Sequence, residues 1–431
     1  MIKAFTSLQL HWQILIALVL AVIAGLLSGE DAGLLGVSFY QVYDFTGSLF
    51  LNALKMLIVP LIVSSIIVGM LSIGSGENLG RLGGKTLVYY ASTSFIAIVI
   101  GLVLVNLVSP GIIDGQPIKE VIGLADVPQE VSEKVEGKGA GDIVDVFLRM
   151  VPPNIVLAAA DGQMLGLIFF SLLFGFFVTR LKGPQADVMK SFWQGLLDVM
   201  MHMTNWVMMF APIGVFALVA KVVAISGVEI FESLFYFFVT VVAALALHFT
   251  GSMYLILRYV AKVNPIRHYR AMSSALLTAF STSSSSATLP LTMECVEHKS
   301  GVSNRVTSFT LPLGATVNMD GTALYECVAA MFIAQAYGLD LTLTTQFTIV
   351  LVALLTSIGV AGIPSASLVA ISIILGTIGL PLEGVGLILA VDRVLDMCRT
   401  AVNVFSDSVA AVVIGRMEGE QAILQKDPAD Y

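Results

Sequence analysis

Asp392, Asp396, Arg399, Asn403 and Asp407 recur at spacings of four, three, four and four residues. At about 100° per residue they fall within roughly 80° of one helical face. Both flanks, 386–391 and 409–414, are apolar. This polar stripe carries both signs of charge inside a helix otherwise suited to lipid. Each Asp or Arg at a bilayer centre costs roughly 2.5–3.5 kcal/mol on insertion scales. Such groups face a protein interior and mark a substrate or ion pathway.

Composition supports a membrane setting. The 431 residues are 57% hydrophobic and 12% charged, with mean hydropathy +0.91. A soluble domain averages about 25% charged residues. The chain reads as a polytopic membrane protein, and length-based counting of soluble domains does not apply. The net charge of −8 comes from acids concentrated in a few loops, with no basic patch or nucleic-acid motif. Cys295, Cys327 and Cys398 have neither disulfide nor metal spacing, and the five histidines form no ligand pair. The apolar run Trp12–Leu27 follows Lys3 but precedes no clear cleavage site, so it reads as a first membrane helix.

Segments long enough to span lie near 12–28, 44–72, 86–109, 150–180, 191–224 and 232–258. Two later ones, near 306–334 and 384–415, are interrupted by polar motifs. Basic residues follow the second, fourth and sixth spans (Arg81, Lys85; Arg180, Lys182, Lys190; Arg258, Lys262, Arg267, Arg270). The alternate loops are acidic or mixed, so the positive-inside rule puts the N-terminus in the cytoplasm. Segments 263–297 and 343–378 have small, polar centres and read as re-entrant hairpins. Each precedes a polar-interrupted helix and enters from the opposite side. Inverted repeats with broken helices are a design of secondary transporters, with the site at mid-membrane.

Four motifs carry chemistry. Asn318-Met319-Asp320-Gly321-Thr322 lies in an apolar run, where Gly321 can relax the helix and free carbonyl oxygens. With Asn318 and Asp320 these suit a hard monovalent cation; the bland alternative is an Asx-type kink. Ser281–Leu291 is a hairpin tip whose backbone N–H groups and helix N-terminus suit an anion, against a plain polar loop. Ser357–Ser367 is a second, glycine-containing tip, either a gate or a surface turn. Arg399 can grip a carboxylate bidentately and Asp396 can hold an ammonium, which together describe an acidic amino acid. A structural Asp396–Arg399 pair at i,i+3 is the alternative. Glu326, one turn beyond the first motif, is a candidate proton carrier or a bland hydrogen-bonded acid.

These motifs, in this order and spacing, resemble the glutamate/aspartate transporter family of sodium–dicarboxylate symporters over nearly the whole chain. The resemblance implies an all-α polytopic membrane protein with eight transmembrane helices and two re-entrant helical hairpins, working as a homotrimer by elevator motion in a cytoplasmic (inner) or plasma membrane. It implies scaffold spans 1–2 over 1–80, span 3 of the mobile transport domain over 81–110 and an extracytoplasmic loop over 111–144. Scaffold spans 4–5 occupy 145–225 and transport-domain span 6 occupies 226–262. Then follow hairpin 1 (263–300), broken span 7 (301–338), hairpin 2 (339–379), span 8 (380–418) and a cytoplasmic tail (419–431).

Carried over by motif, Asp396 would hold the substrate amino group and Arg399 its side-chain carboxylate. Thr322, Thr400 and Asn403 would hold the remaining polar atoms, with backbone of Ser284, Ser285 and Ile363. Co-transported sodium would bind Gly314, Asn318, Asn403 and Asp407. A second sodium would use Thr316 with Ser357, Ile358 and Val360, and a third Tyr90, Thr93, Ser94, Asn318 and Asp320. Proton-coupled members carry Asn at the Asp407 position, so Asp407 argues for sodium. Glu326 matches the acid assigned to proton and potassium handling in animal members. The family's usual extra arginine is absent at Ser283 and Met397, which puts turnover and potassium coupling in question. The resemblance implies L-glutamate or L-aspartate as substrate, and a protein in contact with membrane lipid and with no nucleic acid. A proton-coupled acidic amino acid or C4-dicarboxylate symporter is the near alternative. An anion channel and an intramembrane serine hydrolase built on 283–286 are alternatives from other classes.

Overall fold

The computed structural model describes residues 10–29, 31–34, 36–72, 77–113, 115–122, 148, 151–160, 164–226, 230–357, 366–380 and 384–425. Among these the structure is helical apart from two short antiparallel ribbons. Helix α1 covers Leu10–Ser28, α2 Phe39–Ser72 and α3 Glu77–Val108. The ribbons pair Gly33–Leu34 with Val37–Ser38 and Ile112–Ile113 with Gln116–Pro117. Short α4 (Ile118–Ile122) and α5 (Ile155–Ala160) precede α6 (Met164–Val178), α7 (Pro184–Met208) and α8 (Ala211–Ser226). Helix α9 (Ile230–Leu247) runs on through two π turns to Val260.

Segments 82–108, 231–260 and 385–417 are each long and apolar enough to cross a membrane. Leu107, Phe45, Phe177 and Tyr259 stand exposed, as a lipid-facing surface requires. The segment near 191–224, expected as one span, is instead two helices bent by 54°. Pro212 explains the break. It lacks an N–H, and its ring clashes with the carbonyl one turn earlier. Phe210 N–H turns to Val207 O at 3.0 Å and closes α7 with a tighter turn.

Helices α10 (Pro265–Thr282) and α11 (Ser285–Glu294) form a tight hairpin. Asn264 caps α10 through Ile266 N, and Pro265 occupies the first turn. Ser283 turns the chain in the left-handed region (φ 50), and Ser284 Oγ caps α11 by accepting from Ala287 N at 3.2 Å. The arms lie side by side, with Ser274 Oγ 3.3 Å from Cys295 Sγ. Helices α12 (Asn304–Val317) and α13 (Asp320–Ala336) are separated only by Asn318 and Met319. Then come α14 (Leu343–Ser357), α15 (Ala366–Ile378) and α16 (Val385–Met417). The second tip lies almost wholly outside the described residues.

Helix α13 is the core, buried throughout except at Gln335. It packs against α3, α9, α14, α15 and α16, and Phe332 stacks on Phe237 of α9 at 4.5 Å. Helices α1, α2, α6, α7 and α8 pack chiefly among themselves. Below the hairpin roots the chain after α16 forms a strap. Glu418 takes Lys85 Nζ at 2.6 Å, and Glu420 takes both N and Oγ of Ser303. Leu424 N donates to Ser300 O at 2.9 Å, and Arg267 Nη1 donates to the carbonyls of Leu424 and Gln425.

Candidate functional site

Helix α16 is continuous through the polar stripe, so the motif interrupts the apolar run without breaking the helix and its residues share one face. No Gly or Pro lies between Asp392 and Asp407, and the charges neutralise one another along the helix. Arg399 Nη1 donates to Asp392 Oδ1 at 3.0 Å and Nη2 to Asp396 Oδ1 at 2.9 Å. Arg393 Nη1 reaches Asp396 Oδ2 at 3.3 Å. The Arg399 guanidinium lies 3.8 Å from the centroid of the Tyr325 ring, a cation–π contact from α13. Arg399 is fully buried, and Asp392, Arg393 and Asp396 nearly so. Removing one partner of such a buried pair costs roughly 3–5 kcal/mol, because the other charge stays behind.

The real interruption is between α12 and α13, at Asn318 (φ −110, ψ 92) and Met319 (φ −121, ψ 60). Gly321 does not make this break; it lies within α13. Its lack of a side chain serves close approach: a Cβ there would stand 2.8 Å from Arg399 O and 3.1 Å from Asn403 Oδ1. Asn403 Oδ1 instead accepts Gly321 N at 2.8 Å, and its Nδ2 donates to Thr322 Oγ1 at 2.9 Å. The stripe and the break are thereby stitched together.

Two oxygen clusters flank this stitch. Asp407 Oδ1 accepts Asn318 Nδ2 at 2.8 Å, and Gly314 leaves it room, since a Cβ at 314 would collide with that oxygen. Asn318 Oδ1 is buried with no partner among the described residues. An acceptor so placed beside a carboxylate fits a cation. In the second cluster, Asp320 Oδ1 accepts Ser94 Oγ at 2.6 Å and Thr93 Oγ1 at 3.4 Å. Asp320 Oδ2 accepts Ser406 Oγ at 2.6 Å and lies 3.2 Å from His248 Nε2. Tyr90 OH donates to Thr310 O at 2.8 Å and lies beside Gly314, closer to the Asp407 cluster than its expected set implies. Among the described residues no three His, Cys, Asp or Glu side chains converge as metal ligands, so these clusters rest on neutral oxygens with single carboxylates.

Some expected residues have local roles here. Thr400 Oγ1 donates to Asp396 O within its own helix, and Ser357 Oγ to Leu354 O. Ser285 is buried at the start of α11, and the hydroxyl of adjacent Ser283 is buried without a partner among the described residues. Ile358, Val360, Ile363 and the side chain of Thr316 lie outside the description. Glu326 Oε2 accepts Thr356 Oγ1 at 2.9 Å, while Oε1 is buried with no partner among the described residues. Arg393, Tyr325, His248 and Ser406 were not singled out by sequence. The last two meet Asp320 across 72 and 86 residues, a pairing no local spacing announces.

The family model described as the sodium:dicarboxylate symporter family matches residues 10–417. This chain belongs to that family. It is 37% identical over 422 residues to the proton/sodium-glutamate symport protein of Geobacillus stearothermophilus, covering 96% of each. It is 36% identical over 417 residues to the proton/glutamate-aspartate symporter of Escherichia coli (95% of this chain, 93% of the relative). Mouse excitatory amino acid transporter 3 matches at 36% over 466 residues (96% and 87%). Family members are membrane transporters rather than enzymes, and the long apolar helices here agree with a multi-pass membrane protein.

Proposed function

We propose that this protein is a sodium-coupled symporter of L-glutamate or L-aspartate. The observation that carries the substrate is the buried Asp396–Arg399 pair, with Arg399 able to exchange an internal carboxylate for a substrate carboxylate. Asp396 then receives the substrate ammonium, and Thr322 and Asn403 complete the polar contacts. The Asp407 and Asp320 clusters are the proposed sodium sites. Because Asn403 touches both the break and the stripe, sodium and substrate each organise the other's site, which is the reciprocal coupling symport needs.

The named activities of the bacterial relatives support acidic amino acid transport, with proton or sodium as driving ion. Asp407 favours sodium. The unpartnered Oε1 of Glu326 favours an added proton. The wider scheme comprises eight spans, two re-entrant hairpins, a homotrimer and an elevator in which α3 and α9–α16 travel against α1, α2 and α6–α8. The packing of these two helix groups supports that division.

The test is uptake of labelled L-aspartate and L-glutamate into proteoliposomes, with sodium, proton and potassium gradients imposed one at a time. Concentrative uptake lost without sodium is expected. Uptake driven by a pH gradient alone would assign a proton symporter, and flux that never runs uphill would assign a channel.

A further inference from the structure

Asp396 cannot receive a substrate ammonium on a free oxygen in this structure. Arg399 holds one oxygen and Arg393 holds the other. The four charges at 392, 393, 396 and 399 alternate in sign and sum to zero. All four side chains are buried. The two guanidiniums differ in what else they hold. Arg399 has Asp392 Oδ1 and the Tyr325 ring besides Asp396. Among the described residues Arg393 has Asp396 as its hydrogen-bond and ion-pair partner, and its Nε is buried without one.

We propose that Arg393 is a positioning residue for amino acid recognition, acting through Asp396. This rests on the assignment of Asp396 as the ammonium's partner. When Arg399 turns to the substrate carboxylate, Asp396 loses its shorter ion pair. Arg393 stays on Oδ2 and fixes the carboxylate's rotation, so that Oδ1 faces the incoming ammonium. Without Arg393 the empty site carries one uncompensated negative charge. Arg399 is then held harder between Asp392 and Asp396, and the substrate carboxylate must compete for it. Arg393 lies about 100° around the helix from Asp392, so it reaches Asp396 from beside the stripe and leaves the stripe's open face to substrate.

The test compares wild type, Arg393→Ala and Arg393→Lys as full-length protein in proteoliposomes. It reads KM and maximal rate for sodium-driven L-aspartate uptake. It also reads sodium half-saturation without substrate, from the rise in melting temperature across a sodium titration. Arg393→Ala should raise KM at least about tenfold, as expected for losing a hydrogen bond to a charged group, with maximal rate within about twofold. Sodium half-saturation should stay unchanged, and Arg393→Lys should recover most of the KM. An unchanged KM in Arg393→Ala overturns the proposal. So does a joint loss of sodium response, thermal stability and uptake that Lys fails to rescue, which would make Arg393 a folding element. Wild-type protein that takes up no acidic amino acid would instead defeat the substrate assignment, and the role of Arg393 with it.

Discussion

Gly314→Ala is the sharpest probe of the Asp407 ion site. A Cβ at 314 would collide with Asp407 Oδ1 and stand 2.6 Å from its Cγ and 2.7 Å from Tyr90 OH. Comfortable contact needs roughly 3.5 Å, so the carboxylate must retreat by about 1 Å and the tyrosine by about 0.8 Å. Asp407 is held by Asn318, and Tyr90 by the carbonyl of Thr310. Neither is the loose end of a flexible chain. Overpacking of this kind costs about 1–3 kcal/mol. If that strain falls on the ion-bound state, sodium binding weakens about 5- to 150-fold at 1.4 kcal/mol per factor of ten. The assay is L-aspartate binding to purified protein across a sodium titration. The variant should bind poorly at low sodium and approach wild type at saturating sodium. Gly69→Ala is the control, because its Cβ meets only Val317 Cγ2 at 3.9 Å. An unchanged sodium dependence in Gly314→Ala, with a lowered melting temperature, would show that the clash is relieved elsewhere and that Gly314 does not shape an ion site.

Arg399→Ala should abolish acidic amino acid binding while sodium still raises the melting temperature; wild-type aspartate affinity in calorimetry would remove the substrate assignment. Glu326→Gln should preserve sodium-driven exchange but erase the stimulation of net uptake by external acid, which the Glu326 carboxyl is proposed to supply. An unaltered pH profile in uptake assays would make Glu326 structural. Ser94→Ala removes the 2.6 Å donor to Asp320 and should raise sodium half-saturation about tenfold, read from sodium-dependent uptake.

The stripe was legible because helical period alone places 392, 396, 399, 403 and 407 on one face, and α16 keeps them in one helix. Arg393 was not legible there because its Cα lies beside that face, and it takes a long basic side chain to bring a charge from that position to Asp396. The Asn318–Thr322 motif marks an interruption in the sequence, but Asn318 and Met319 make the turn rather than the glycine. The same residue, Gly321, answers to a carbonyl on another helix, information that exists only after packing. Pro212 was visible in the chain, yet the apolar run around it outweighed it and hid the bend. His248 had no partner within reach in sequence and gained one only when α9 met α13.

The strap after α16 also bears on motion. Five hydrogen bonds join residues 420–425 to Arg267, Ser300 and Ser303 at the roots of the α10–α11 hairpin. At about 1 kcal/mol each, undoing all five together would occur in roughly one molecule in 5,000. The strap therefore ties the hairpin to the last helix, and in the proposed elevator the two would move as one block. Spectroscopic labels at exposed Ile266 of the hairpin and exposed Met417 of the last helix should keep a constant separation through the transport cycle.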